Sequence, residues 1–189
     1  MSLFVNTFFE VRLQDLFNLA ARVEKAFSAA GIEYRVVGGL ATYLYVEESE
    51  ADAGRLTKDI DISVRRQDLP RIVAAVEPFG LEFRHTAGVD MLVQKDQPSA
   101  RRAVHMLFEG ERVRPTDAEP IPGLGADRKI RGISVTPLAH LVTMKLISFR
   151  LKDQAHIKDL QEQGLITPEI EAGLPPLLRE RLAQVTAHE

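Results

Sequence analysis

The sequence contains no cysteine among its 189 residues. This absence excludes a disulfide framework, a zinc site built on thiolates and a cysteine nucleophile. The sequence also lacks an apolar run near the roughly 20 residues that a membrane-spanning helix requires. Acidic residues interrupt the N-terminal stretch in which a signal peptide would need an apolar core. We therefore expect a soluble, cytoplasmic protein with no membrane partner.

The chain also lacks a strong charge of either sign. Lys and Arg number 24 and Asp and Glu number 27, which gives a formal net charge of −3. No general polycationic surface is therefore present to coat nucleic acid. The basic residues are concentrated, because residues 101–152 hold ten of them against five acids, whereas residues 1–50 hold four against seven. The local excess could face a polyphosphate or RNA, or be dispersed over a solvated surface.

Hydrophobic periodicity predicts alternating helices and strands. The predicted helices cover about 8–30, 40–46, 69–79, 137–149, 153–163 and a broken segment after 168, and the predicted strands cover 34–37, 60–64, 81–85, 89–93, 103–108 and 133–135. Residues 47–56 are predicted to form an exposed loop, residues 114–128 an extended connector, and Asp68 a helix cap. This order favours an α/β (α+β) core over residues 1–135, with a helical segment over 136–189 packed on it.

Two aspartates alternate with apolar residues at the strand predicted over 60–64. Asp59 and Asp61 lie two residues apart, so their carboxylates share one face of the strand, about 6.6 Å apart along the chain. Such carboxylates repel each other unless a cation lies between them, and Mg²⁺ commonly bridges carboxylates to substrate phosphates. The pair indicates a metal site, although the same pattern also occurs on the wet face of an edge strand.

Gly38 and Gly39 stand between a predicted strand and a predicted helix. Backbone N–H groups and the helix dipole can hold an anion there, and the missing side chains let a phosphate chain approach closely. Alone, the pair is also typical of a tight turn. Together with two aspartates on a neighbouring strand, it describes a site for a nucleoside triphosphate and its metal ion.

The combined motifs resemble the nucleotidyltransferase superfamily related to DNA polymerase β. The resemblance rests on residues 36–41 (VVGGLA) and 55–62 (RLTKDIDI), and it covers roughly residues 31–163. The most similar branch is the minimal bacterial AbiEii-like group, found among abortive-infection and toxin–antitoxin proteins. The resemblance implies a nucleotidyltransferase fold with a small mixed sheet flanked by helices.

The same resemblance implies roles for particular residues. Gly38, Gly39 and Thr57 would contact a bound nucleoside triphosphate. Asp59 and Asp61 would hold Mg²⁺ or Mn²⁺, and a third acid on a later strand would complete the metal site and help to deprotonate the attacking hydroxyl.

The chain departs from the superfamily at this third acid. His105 in the strand predicted over 103–108 stands at the expected position, and Asp90 in the strand over 89–93 is the alternative. We favour His105 because its apolar neighbours and the following Glu109-Gly110 match the family context better. His105 could ligate a metal ion through an imidazole nitrogen, which Mg²⁺ does not favour but Mn²⁺ or Zn²⁺ accepts. It could instead act as a base near neutral pH. The spacer of 19 residues from Gly39 to Asp59 is also longer than is usual in the superfamily, and the predicted loop over 47–56 accommodates the additional residues.

The helical segment contains further candidates. The resemblance implies that Lys145 contacts phosphate, whereas its apolar neighbours equally fit a lysine whose ammonium reaches solvent along the protein surface. Arg150, Lys152 and Asp153 could belong to the same site or form a surface ion-pair group. Four other histidines share no metal-site spacing and are expected in solvated or helix-surface positions, namely His85, His140, His156 and His188.

The sequence thus predicts a nucleotidyltransferase whose catalytic residues are Asp59, Asp61 and His105. Its substrate would be a metal-bound nucleoside triphosphate, and its acceptor a hydroxyl of RNA, a protein or a small molecule. Because His105 replaces an acid, the alternative is a catalytically degenerate domain that acts as a nucleotide sensor or a toxin–antitoxin component. A third interpretation is an interaction domain with no nucleotide site.

Overall fold

The computed structural model of the protein describes residues 2–50, 54–55 and 57–187. In these residues the strands are β1 (Tyr34–Val37), β2 (Ile60–Val64), β3 (Leu81–Thr86), β4 (Val89–Gln94), β5 (Val104–Phe108), β6 (Arg128–Ile130) and β7 (Ile133–Val135). The helices are α1 (Ser2–Ala30), α2 (Gly38–Ser49), α3 (Leu69–Val76), α4 (Leu138–Ser148), α5 (Leu151–Glu162), α6 (Pro168–Gly173) and α7 (Pro176–Thr186). None of these helices combines the length and apolar character that a membrane span requires.

The strands form one mixed sheet in the order β3-β4-β5-β2-β1-β7-β6. β1 runs antiparallel to β2 and pairs Val37 with Asp61. β2 runs parallel to β5 and pairs Asp61 with His105. The end of β1 and the beginnings of β2 and β5 therefore meet in one part of the sheet. This architecture confirms the predicted α/β fold with a mixed sheet flanked by helices.

One hydrophobic core joins the sheet to helices from both ends of the chain. It contains Phe27 of α1, Ile62 of β2, Leu141 of α4 and Leu178 of α7, each with no measurable exposure. Helices α4 and α5 also pack against α2, the helix that begins at Gly38. Residues on both sides of position 135 share this core, and the division into residues 1–135 and 136–189 stays a prediction.

Two predicted loops contain regular structure. Helix α2 extends through Ser49, because Glu47 and Glu48 in its last turn form ion pairs with Arg131 and Arg128 of the β6–β7 hairpin. The prediction of a loop from residue 47 is therefore wrong for 47–49, and residues 51–53 and 56 lie outside the described part. The predicted connector over 114–128 ends one residue early, since β6 begins at Arg128.

Two helix starts also differ from the predictions. Helix α1 begins at Ser2 and not near residue 8. Asp68 precedes α3 but makes no side-chain cap, because its carboxylate pairs with Arg71 at 2.7 Å. The predicted break in the C-terminal helical region at Pro175-Pro176 is confirmed, since α7 begins at Pro176.

Candidate functional site

Two neighbouring aspartates and a histidine that is distant in sequence converge at the centre of the sheet. Asp59 precedes β2, Asp61 lies within it, and His105 lies opposite Asp61 on β5. Each offers one possible ligand atom, and these three atoms lie within 4.8 Å of one another. Nδ1 of His105 lies 3.4 Å from Oδ1 of Asp61 and 3.8 Å from Oδ2 of Asp59. Among the described residues, this is the cluster of acidic and histidine side chains that could hold a metal ion.

The hydrogen bonds of His105 orient its ring towards the two carboxylates. Nε2 lies 3.2 Å from the carbonyl oxygen of Ala100, so an Nε2–H group would donate to that carbonyl and leave Nδ1 facing the aspartates. The hydrogen bond with Asp61 raises the pKa of His105, burial opposes this, and the charges of Asp61 and Asp59 raise it further. A proton or a metal ion at Nδ1 would therefore meet favourable negative charge.

The alternative third acid, Asp90, lies on the other face of the sheet. β4 pairs Met91 with His105, and because successive side chains alternate between faces, Asp90 is directed away from the cluster. Its carboxylate contacts Arg66 and His85. Burial raises the pKa of Asp90, but the hydrogen bonds from His85 and Arg66 together bring it below its ordinary value. The structure thus brings His105, and not Asp90, beside the aspartate pair.

The two glycines at the start of α2 make room for the aspartates and for Thr57. Gly38 has a φ of +67°, and a Cβ atom there would overlap with the carboxylate of Asp61. A Cβ atom on Gly39 would lie 2.6 Å from Oγ1 of Thr57. That Thr57 hydroxyl donates to Oδ1 of Asp59 at 3.1 Å. Within the structure Thr57 therefore orients Asp59, and its predicted contact with a bound nucleotide stays a prediction.

Lys145 is buried and does not reach bulk solvent along the surface. Its side chain is 5% exposed, and its ammonium lies 3.3 Å from Oδ1 of Asp153 and 2.8 Å from Nδ1 of His156. Burial lowers the pKa of Lys145, while the charges of Asp153 and Asp61 oppose that change. Asp153 is also buried and accepts a second hydrogen bond from Nε of Arg150 at 2.8 Å. The expectations of a surface-reaching lysine and of a surface ion-pair group are therefore wrong for Lys145 and Asp153.

The glycine turn, the aspartate pair and the Lys145 group line one cleft of about 430 Å³. Its lining includes Gly38, Gly39, Thr57, Asp59, Asp61, Lys145, Asp153 and His156. Four basic residues from the excess over 101–152 also line it, namely Arg114, Lys145, Arg150 and Lys152. Other members of that excess lie elsewhere, since Arg128 and Lys129 pair with Glu48 and Glu24. The basic excess is thus divided between the cleft and structural ion pairs.

Comparison with known proteins identifies the fold. No protein-family model matches the chain, and no curated protein matches it in sequence. A solved structure of an antigenic nucleotidyltransferase-like protein from Paracoccidioides brasiliensis matches with a TM-score of 0.60 at 15% identity, over 93% of this chain and 89% of that one. The chain has a nucleotidyltransferase fold. The antibiotic-resistance factor ANT(2'')-Ia matches with a TM-score of 0.47 at 11% identity, over 94% of this chain and 85% of that one.

Within this nucleotidyltransferase fold, His156 is the main site residue that sequence reasoning missed. His156 is partly buried and its Nδ1 lies 2.8 Å from the Lys145 ammonium, so the expectation of a merely solvated or helix-surface position is wrong. Burial and the charge of Lys145 lower the pKa of His156 to about 4. A signal was present in the sequence. Asp153 and His156 lie on the same side of α5 as Ile157 and Leu160, and Lys145 lies in an apolar stripe of α4. Polar residues within two apolar stripes indicate a buried polar contact. Of the other histidines, His188 lies outside the described residues.

Proposed function

We propose that the protein is a metal-dependent nucleotidyltransferase that transfers a nucleoside monophosphate from a nucleoside triphosphate to a hydroxyl acceptor. One observation carries this proposal. The Gly38-Gly39 turn, the aspartates Asp59 and Asp61, and buried Lys145 border one cleft, and His105 lies beside the two aspartates. A volume of about 430 Å³ is within the range of pockets for small molecules. The nucleotidyltransferase fold supports the same conclusion.

The residues of the cluster fit a divalent metal ion. Two carboxylates and an imidazole nitrogen lie close enough for common ligation, and the Ala100 carbonyl can fix the required tautomer of His105. Mg²⁺ prefers oxygen ligands, whereas Mn²⁺ also accepts imidazole, so the set suits Mn²⁺ at least as well as Mg²⁺. When bound, the ion would offset negative charge that develops on the reacting phosphate.

The protein's own groups would hold the triphosphate and orient the reaction. Backbone N–H groups at the Gly38-Gly39 turn and the ammonium of Lys145 would bind phosphate oxygens. The acceptor oxygen would attack the α-phosphorus, and the bond from that phosphorus to the oxygen bridging the β-phosphate would break. Pyrophosphate would leave, and the hydroxyl proton would pass to a carboxylate of the aspartate pair.

The acceptor would approach from a second cleft of about 440 Å³ that shares Thr57 and Lys58 with the first. Its lining is mostly polar and includes Asn18, Gln94 and Arg102. A hydroxyl of RNA, of a protein or of a small molecule could lie there. The experiment that tests this placement is Arg102→Ala, which should weaken acceptor use while leaving nucleotide affinity unchanged.

Substitution of the aspartates tests the nucleotide site. Asp59→Asn and Asp61→Asn should each abolish metal-dependent binding of ATP in calorimetry, because each removes a charged ligand. Asp117→Asn is the matched control, since Asp117 lines the same cleft outside the cluster. Its carboxylate accepts the backbone N–H of Arg114 at 2.8 Å, a hydrogen bond that an amide oxygen can also accept. Unchanged ATP affinity in both aspartate variants would refute the assignment.

The second candidate function is nucleotide binding without transfer, as in a sensor or a toxin–antitoxin component. The observation that favours it is the contact of His105 with Asp61, because an imidazolium could replace the ion between the carboxylates. Incubation with α-labelled nucleoside triphosphates, Mn²⁺ and bulk RNA or protein distinguishes the two functions. Label transfer that Asp59→Asn abolishes supports the enzyme, whereas nucleotide binding with no transfer supports the sensor. The AbiEii-like branch stays a prediction from the sequence.

A further inference from the structure

Lys145 occupies an unusual electrostatic position at the edge of the cleft. Its side chain and that of Asp153 are 5% and 2% exposed, so the pair is removed from water. A buried ion pair is stable only when further hydrogen bonds satisfy the remaining groups. Arg150 satisfies the other carboxylate oxygen of Asp153, and His156 accepts from the ammonium of Lys145.

This arrangement leaves one direction of the ammonium open. A lysine ammonium has three N–H groups. Within the part of the chain that the structure describes, its side-chain partners are Asp153 and His156. Lys145, Asp153 and His156 all line the cleft that also contains Gly38 and Asp61. The third N–H is therefore available to an anion held against the glycine turn.

We propose that His156 is a positioning residue for the phosphate chain of the nucleotide. Its Nδ1 accepts from Lys145 and, together with Asp153, directs the remaining N–H of the ammonium towards a phosphate oxygen. This inference rests on the proposed function, because it assumes a triphosphate in the cleft. His156 itself need not touch the substrate. Its role requires an acceptor at the δ position of the side chain.

Variants of His156 test the role without removing the buried charge of Lys145, whose loss would endanger folding. Asn places its amide oxygen at the δ position and keeps the acceptor. Gln moves the oxygen one atom further out, and Leu has no acceptor. The probe is inorganic tripolyphosphate in the presence of Mn²⁺, measured by calorimetry. Mn²⁺ alone is the control for the cluster of Asp59, Asp61 and His105.

We expect His156→Gln and His156→Leu to weaken tripolyphosphate binding about tenfold, the effect of losing one charge-assisted hydrogen bond. His156→Asn should bind within about threefold of the wild type, because it retains that bond. Binding of Mn²⁺ alone should be equal in all four proteins. Wild-type tripolyphosphate affinity in His156→Leu, or equal losses in the Asn and Leu variants, would overturn the inference and leave the proposed function intact. No tripolyphosphate or ATP binding by the wild type would overturn both.

A spectroscopic measurement distinguishes the positioning role of His156 from a merely structural one. The nitrogen chemical shifts of His156 should show a neutral ring protonated at Nε2, with Nδ1 as the acceptor. Addition of tripolyphosphate and Mg²⁺, which is diamagnetic, should shift the Nδ1 signal, because the phosphate polarises the shared ammonium. A ring protonated at Nδ1, or an Nδ1 signal that tripolyphosphate leaves unmoved, would overturn the inference.

Discussion

Replacement of Gly38 by alanine tests the geometry of the site most directly. Gly38 combines two properties, a left-handed backbone with φ of +67° and direct proximity of its Cα to the carboxylate of Asp61. An added methyl group would therefore impose backbone strain and displace Asp61. Two other glycines separate these effects. Gly132 has a φ of +76° with open space around it, and Gly39 meets Oγ1 of Thr57 without a positive φ.

The expected losses in the free energy of unfolding follow from these separate effects. A left-handed backbone costs a residue with a Cβ atom roughly 1–2 kcal/mol, and alanine recovers about 0.4–1 kcal/mol by restricting the unfolded chain. Gly132→Ala should thus lose about 1 kcal/mol of the free energy of unfolding. Gly38→Ala should lose about 2 kcal/mol, since the displaced Asp61 also gives up its hydrogen bond with His105.

Metal binding provides the sharper assay. Gly38→Ala should bind Mn²⁺ at least about tenfold more weakly, the effect of disturbing one ligand. Gly132→Ala should bind it with wild-type affinity, and Gly39→Ala should lie between them because it displaces Thr57 from Asp59. Calorimetry gives the affinities, and urea unfolding gives the stabilities. Equal Mn²⁺ affinity in Gly38→Ala and Gly132→Ala would refute the argument that Gly38 makes room for a metal ligand.

Three further predictions concern the metal preference, the acid stability and the core. His105→Asp should shift the metal preference from Mn²⁺ towards Mg²⁺, because a third carboxylate replaces a nitrogen ligand. Calorimetric titration with each ion measures the two affinities. An unchanged ratio of the affinities would contradict ligation by residue 105. Asp90→Asn should lower stability at pH 7 by about 1 kcal/mol through the weakening of its contacts with His85 and Arg66. Folding lowers the pKa of Asp90, so this contribution is present above the ordinary value of 3.8 and is lost as the pH falls through the lowered value. Urea unfolding from pH 7 to pH 3 measures the difference, and a constant difference would contradict the coupling. Tyr45→Phe should cost about 1 kcal/mol in thermal unfolding, because the Tyr45 hydroxyl donates to the carbonyl of Thr136 at 2.8 Å in the core; unchanged stability would contradict that cost.

Local pattern was sufficient to predict the central strands and to place Asp59 and Asp61 on one face of the sheet. Asp59 and Asp61 share a face because of the two-residue period of a strand, which depends on no distant contact. Family context favoured His105 over Asp90, but the physical reason is the register of β4 against β5, which alternation within a single strand does not reveal. The two-residue period of each strand predicts that the sheet has two faces. Only the pairing between strands decides which residues of different strands lie on the same face.

Two of the wrong predictions concern residues whose partners lie on other elements. The last turn of α2 is rich in acids and resembles a loop, but Arg128 and Arg131 of the β6–β7 hairpin pair with Glu48 and Glu47 there. The burial of Lys145 likewise depends on the packing of α4 against α5, which brings Asp153 and His156 to its ammonium. The apolar stripes of α4 and α5 indicate that polar groups are buried there, but periodicity does not reveal which of these groups pair with each other.

The net charge of the chain is a poor guide to its partner, because the cleft has a different balance. The whole sequence has a formal charge of −3. The cleft is lined by the acids Asp59, Asp61, Asp117 and Asp153 and by the bases Lys58, Arg114, Lys145, Arg150 and Lys152. His105 stands where the superfamily that the sequence resembles is expected to have an acid, and an imidazole carries less negative charge than a carboxylate. A divalent ion at the aspartate pair would make the cleft clearly positive, and local fields of this kind attract anionic ligands even to an acidic protein. Metal and triphosphate should therefore bind cooperatively, each strengthening the affinity for the other by the same factor.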